Sequence, residues 1–229
     1  MDINLTIPTK WIELNNRQLK FVSRIFHSDF SREKNKFLAH AFLYFSGLKV
    51  YNGKKMGEHL VKKKGGKKFY IKTAFIAYGS SRLEWLLKEV GEIHPLKRIL
   101  FSKPCSYRLY DTRFRQFLST ENWYEAFSQT KNVKYLNRLV ATLYHVPGQS
   151  FNENKVVRRS WKYKFAGFET KYTVYLWYSG FRGYVGHECP EIFGSGSGGN
   201  VNIKDYIMGL IRGLTDGDVT KNESVQEAA

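Results

Sequence analysis

The chain has 229 residues, with 37 Lys and Arg against 20 Asp and Glu, a formal net charge of +17. Hydrophobic residues at 42% and aromatics at 16% supply a core and exclude a wholly disordered chain. No apolar run reaches the roughly 20 residues of a transmembrane helix, and the N-terminus lacks a signal peptide's basic-then-apolar order. Cys105 and Cys189 fit neither a disulfide framework nor zinc-ligand spacing, so synthesis in a reducing cytoplasm is expected.

Helical periodicity opens the chain. Trp11 and Leu14 precede Asn15, a candidate N-cap, and Leu19, Phe21, Val22, Ile25 and Phe26 follow on one face. Asp29 or Ser31 can cap a second helix, in which Phe37, Leu38, Ala41, Phe42 and Phe45 form the apolar face before Gly47. The two predict an antiparallel helix pair.

Residues 49–72 hold nine lysines and one acid, Glu58, and so carry about half of the excess charge. Asn52-Gly53 and Gly65-Gly66 favour tight turns with positive φ. A small β-hairpin or meander at about 48–73 is expected, with Lys-rich tips and Phe69-Tyr70-Ile71 in the return strand. Lysine tips can keep an edge strand from mispairing, or can bind a polyanion by displacing counterions. The candidate contacts are Lys54, Lys55, Lys62, Lys63, Lys64, Lys67 and Lys68.

Ser80 and Ser81 precede RLEWLLKEVGEI, read as a short helix with Leu83, Leu86, Leu87 and Val90 inward, broken at His94-Pro95. Residues 95–118 read as irregular. Ser119 or Thr120 is expected to cap a helix carrying Trp123, Tyr124 and Phe127, and another runs around 132–145 through Leu136, Leu139, Val140 and Leu143. Residues 149–167 read as a polar, basic connection.

The stretch from 168 to 186 has a strand-like composition but a helical length and spacing (Phe168, Tyr172, Leu176), and is assigned to a helix. Gly194–Gly199 falls in a Gly/Ser linker at 194–201. A terminal helix with Ile203, Tyr206, Ile207, Leu210 and Ile211, then an acidic tail, fill 202–229. The expected fold is mainly α, built of antiparallel helix pairs in a domain over 1–193, with the hairpin as an insertion.

Chemistry-bearing motifs are sparse. Adjacent His187, Glu188 and Cys189 point apart on a helix and make a poor chelate; Asp216-Gly217-Asp218 lacks the remaining positions of a calcium loop. The glycine run has no Lys-Ser or Lys-Thr after it, so it is no P-loop, and no G-x-S-x-G elbow occurs. Cys105 is read as a buried thiol rather than a nucleophile. No catalytic residue, metal or cofactor is assigned. A second basic region with interleaved rings contains Arg158, Arg159, Trp161, Lys162 and Lys164, the combination that single-strand nucleic-acid binders use.

Several segments carry a resemblance. Ile7-Pro8-Thr9-Lys10-Trp11-Ile12-Glu13-Leu14 through Gln18-Leu19, Glu121–Phe127 with Leu136–Leu143, Leu176–Arg182 followed by Pro190–Phe193, and Leu214–Asn222 resemble uncharacterised proteins of phages and prophages of Bacteroidetes-type bacteria. Such proteins look like members of tail or structural gene modules, and no catalytic residues travel with them. The resemblance implies a phage-type tail or virion structural or assembly protein. It would act through contacts with other phage proteins or with itself, without a membrane, in the host cytoplasm during synthesis or in the virion. The alternative is a sequence-tolerant nucleic-acid-binding protein using the lysine hairpin and the Arg158–Lys164 cluster.

Overall fold

A computed structural model of the chain describes residues 5–27, 33–63, 65–145 and 151–188. The expected Gly/Ser linker, terminal helix and acidic tail lie outside the described residues. The fold is mainly α with small antiparallel sheets, and the chain divides into two compact units, residues 1–93 and 94–229.

In the first unit, α1 (Asn16–His27) begins at the expected cap. The Asn15 side chain accepts from the backbone N–H of Arg17 and Gln18, both at 3.0 Å, while Gln18 Oε1 accepts from Asn15 N at 2.9 Å. This reciprocal box satisfies donors that a helix start leaves open. The second helix, α2 (Lys34–Phe45), buries the five expected apolar residues.

Three strands follow: β1 (Leu48–Lys55), β2 (Glu58–Lys63) and β3 (Lys68–Lys72), in the order β1-β2-β3, all antiparallel. The turns differ from expectation. Asn52-Gly53 lies within β1 at a register irregularity between Tyr51 and Lys54, and the first turn is Met56-Gly57, with Gly57 at φ +73°. Gly65, at φ +80°, makes the second turn as expected.

Next comes α3 (Thr73–Ser81), which leads directly out of β3. It packs so tightly on α2 that a Cβ on Gly79 would sit 2.1 Å from the Phe42 ring. The helix expected from RLEWLLKEVGEI is a 3-10 turn at Glu84–Leu87 and then chain without regular structure. Leu83 and Leu86, three apart, are both fully buried there, as the threefold repeat of a 3-10 turn allows. Trp85 meets Trp11 edge-on at 5.6 Å, and a Cβ on Gly91 would come within 3.1 Å of Trp11 Cδ1. Burying these groups around Trp11 overrides the helical pattern.

The second unit is built on α4 (Phe114–Thr130), α5 (Val133–Leu143) and α7 (Phe168–Glu188). Residues 168–186 are helical, as their length and spacing predict. α4 starts five residues before Ser119, which with Thr120 is buried inside it; the Thr120 hydroxyl donates to the Gln116 carbonyl at 2.8 Å. Residues 149–167 are not a mere connection. Asn152 caps α6 (Glu153–Arg159), accepting from Lys155 N at 3.0 Å, and a 3-10 helix follows over Ser160–Phe165. Short strands β4 (Lys103–Pro104) and β5 (Tyr144–His145) pair antiparallel.

The helices of this unit enclose a carboxyl group. Glu121 on α4 is buried, accepts from the Tyr178 hydroxyl at 2.5 Å and lies 3.3 Å from Arg182 Nε. The Arg182 guanidinium also covers the Tyr124 ring at 4.6 Å. Burial raises the Glu121 carboxyl above its ordinary range despite Arg182. The native state therefore keeps a proton that the unfolded chain loses near pH 4.3, about the free Glu value, and stability falls as pH rises above that point. Denaturant titrations at pH 4 and pH 7 should show wild type losing stability relative to Glu121→Gln as pH rises. A relative gain would contradict the assignment.

Candidate nucleic-acid interface

Period-two alternation and strand register sort the sheet into two faces. Val61, fully buried, pairs with Val50 on one side and Phe69 on the other, and His59 pairs with Ile71, also buried. These residues share the inner face, which is buried at Val61 and Ile71 and open at Val50 on β1. The adjacent row on the opposite face is Lys49, Lys62 and Lys68, one from each strand and directly in register. Beside it lies the row Tyr51, Leu60 and Tyr70. Lys68 Nζ sits 4.5 Å from the centroid of the Tyr51 ring, and Lys49 Nζ 5.7 Å. The outer face thus carries a bar of ammonium groups beside a bar of aromatic surface.

Like charges placed directly opposite each other on neighbouring strands are destabilising, and this arrangement makes two such pairs. A phosphate backbone laid along the row would relieve the repulsion, and the tyrosine faces offer stacking surface to bases. Of the candidate hairpin lysines, Lys62 and Lys68 belong to the row. Lys63 pairs with Leu48 and so falls on the inner-face side, at the exposed end of β2; Lys67 is exposed in the turn. Lys54 and Lys55 pair in register with His59 and Glu58, and Lys64 lies outside the described residues. Lys49 was missed, since it precedes the dense lysine runs and only strand register reveals its neighbours.

The second candidate cluster lies in the other unit. Arg158 and Arg159 end α6, and Trp161, Lys162 and Lys164 lie on the 3-10 helix. The structure joins them to the irregular segment that holds Ser102. Tyr163, buried between Lys162 and Lys164, has its hydroxyl oxygen 2.9 Å from Ser102 Oγ and 3.1 Å from the Tyr144 carbonyl oxygen. Ser102 closes a tight turn with Ile99, through backbone bonds of 3.0 and 3.1 Å. At the tip, Phe101 is 95% exposed, and on the 3-10 helix Phe165 is 76% and Trp161 58% exposed.

Cys105 follows β4. Its thiol accepts from Gln116 Nε2 at 3.2 Å and lies 3.7 Å from His145 Nδ1. Gln116 and His145 also line a cavity of about 140 Å³, with Asp111, Arg113, Thr142, Phe151 and Arg159. Burial, aided by the Asp111 charge, pushes the thiol up to about 11, so it is protonated at neutral pH, the reverse of an activated nucleophile. His187 and Glu188 form an exposed pair at 3.7 Å, while Cys189 lies outside the described residues. Among the described residues no three His, Cys, Asp or Glu gather as a metal site.

Comparison with protein-family models, with curated proteins and with solved structures finds no match. In a Cys189→Ser background, Cys105 should resist an aromatic disulfide reagent at pH 8 in the native protein and react with one equivalent after guanidinium unfolding. Rapid native reaction would overturn the description of a buried, protonated thiol.

Proposed function

We propose that the protein binds single-stranded nucleic acid without sequence preference, through the outer face of the β1-β2-β3 sheet. The observation that carries this reading is the in-register row Lys49–Lys62–Lys68 beside Tyr51 and Tyr70. Lys68 and Lys49 gain a contact with the Tyr51 ring, but the two like-charge pairs of the row oppose the fold, and a polyanion would relieve them while gaining three phosphate contacts at once. The net charge of +17 favours the encounter. Lysine without arginine supplies charge rather than bidentate recognition, which agrees with sequence tolerance.

The test is fluorescence anisotropy with a labelled oligothymidylate between about 50 and 200 mM salt, a range over which phosphate-dependent binding weakens steeply. Replacing Lys49, Lys62 and Lys68 together with Gln removes three contacts. It should flatten the salt slope by about 2, at roughly 0.7 per single-strand phosphate contact. An unchanged slope would contradict the reading.

A second reading, a phage-type tail or virion assembly role through protein contacts, draws on the large rings left exposed, Tyr78 in the first unit and Tyr110 in the second. Tyrosine is favoured as an interface anchor. Quantitative mass spectrometry of purified particles beside their lysate tests it: a fixed ratio to particle proteins supports it, and absence from both particles and assembly intermediates opposes it.

A further inference from the structure

The surface around the Ile99–Ser102 turn combines features that neither the fold nor the sheet's chemistry explains. Leu100 holds φ +53° at the first central position of that turn, a conformation in which glycine is the usual occupant and a leucine is strained. The next residue, Phe101, is almost wholly exposed. Local preference argues against both residues, since a Gly and a polar side chain would relieve strain and hydrophobic exposure together. The turn therefore projects two consecutive apolar side chains from a narrow tip.

The tip has a cationic surround. Lys97, Arg98 and Lys103 flank it and are exposed. The Tyr163–Ser102 contact fixes the 3-10 helix beside it, and that helix exposes Trp161, Phe165, Lys162 and Lys164. Segments 97–103 and 157–165 contain seven Lys and Arg and no Asp or Glu. Trp161 and Phe165 touch edge-on at 5.9 Å, so their rings form one apolar unit.

We infer that this surface docks the protein on an anionic lipid bilayer, with Leu100, Phe101, Trp161 and Phe165 entering the headgroup boundary and the surrounding lysines and arginines meeting lipid phosphates. Charge complementarity selects an anionic surface. The apolar tip separates lipid from nucleic acid, because leucine on a narrow turn offers no stacking plane but does add apolar area to be buried among acyl chains. Long basic side chains suit the rim, since their stems lie along apolar surface while their heads reach phosphates. This is adsorption and not spanning: among the described residues no helix is long and apolar enough to cross a membrane. The inference does not depend on the sheet binding nucleic acid.

The test is co-flotation of the full-length protein with two vesicle preparations, phosphatidylcholine alone and phosphatidylcholine with about one third phosphatidylserine. Wild type should float with the anionic vesicles and not with the neutral ones, with a blue shift of tryptophan emission that Trp161→Phe abolishes. Leu100→Gly/Phe101→Ser should weaken binding by tenfold or more while leaving the melting temperature unchanged or higher, because it removes the strained leucine. Lys162→Gln/Lys164→Gln should weaken it to a similar degree, at about fivefold per cation. Failure of wild type to float with anionic vesicles would overturn the inference. So would flotation unaffected by the tip variant, or tip variants that instead lose oligothymidylate binding.

Discussion

The register of one three-stranded sheet governs what the first unit presents to its surroundings. Val61 is wholly buried and Ile71 nearly so, and in a strand the residues between such positions must point the other way. Pairing Val61 with Val50 and Phe69 therefore forces Lys62 to stand between Lys49 and Lys68, and Leu60 between Tyr51 and Tyr70. A slip by one residue would bring lysines to the core, so burial on the inner face enforces charge repulsion on the outer one. The ammonium row is thus a consequence of the register.

The two units use aromatic residues differently. On the sheet, tyrosines lie beside ammonium groups, an arrangement suited to a charged and stackable ligand. In the second unit most rings are consumed internally: Trp177, Tyr144 and Tyr178 are buried, and Trp177 Nε1 donates to the Tyr107 carbonyl at 3.2 Å. Buried tyrosines there also anchor irregular chain, Tyr144 through the Leu96 carbonyl at 2.9 Å and Tyr163 at the Ser102 turn. Segment 95–113 has little regular structure of its own and is held by hydroxyls from β5 and the 3-10 helix and by an indole from α7. The cavity beside Cys105 sits in this region, but its thiol is kept protonated by burial.

Elements with strong local signals were legible. Asn15 announces α1, Gly47 ends the run after α2, and the length of 168–186 with its Phe168, Tyr172 and Leu176 spacing outweighed its strand-like composition. The misreadings have physical causes. The α6 helix carried its own signals, Asn152 as cap, Glu153 in the first turn and Arg158 and Arg159 in the last, yet its high polarity hid it. The Leu83–Val90 pattern lost its helix to tertiary packing around Trp11. Lysine density at 49–72 was visible, but the row was not, because register depends on which glycine turns the chain. Asn52-Gly53 was the stronger local turn signal and Gly57 made the turn. The pairing of Ser102 with Tyr163, 61 residues apart, has no local signature at all.

If the row awaits a polyanion, its lysines are held against the stability of the fold. The most direct measurement is urea unfolding at low salt of wild type and the triple Lys49→Gln, Lys62→Gln, Lys68→Gln variant. Directly opposed like charges are destabilising, and at low salt the relief of two such pairs should outweigh the loss of the exposed Lys49 and Lys68 contacts with Tyr51, so the variant should be more stable than wild type, with the gain shrinking as salt screens the charges. A variant less stable than wild type at low salt would mean that the lysines support the sheet, and would contradict the account.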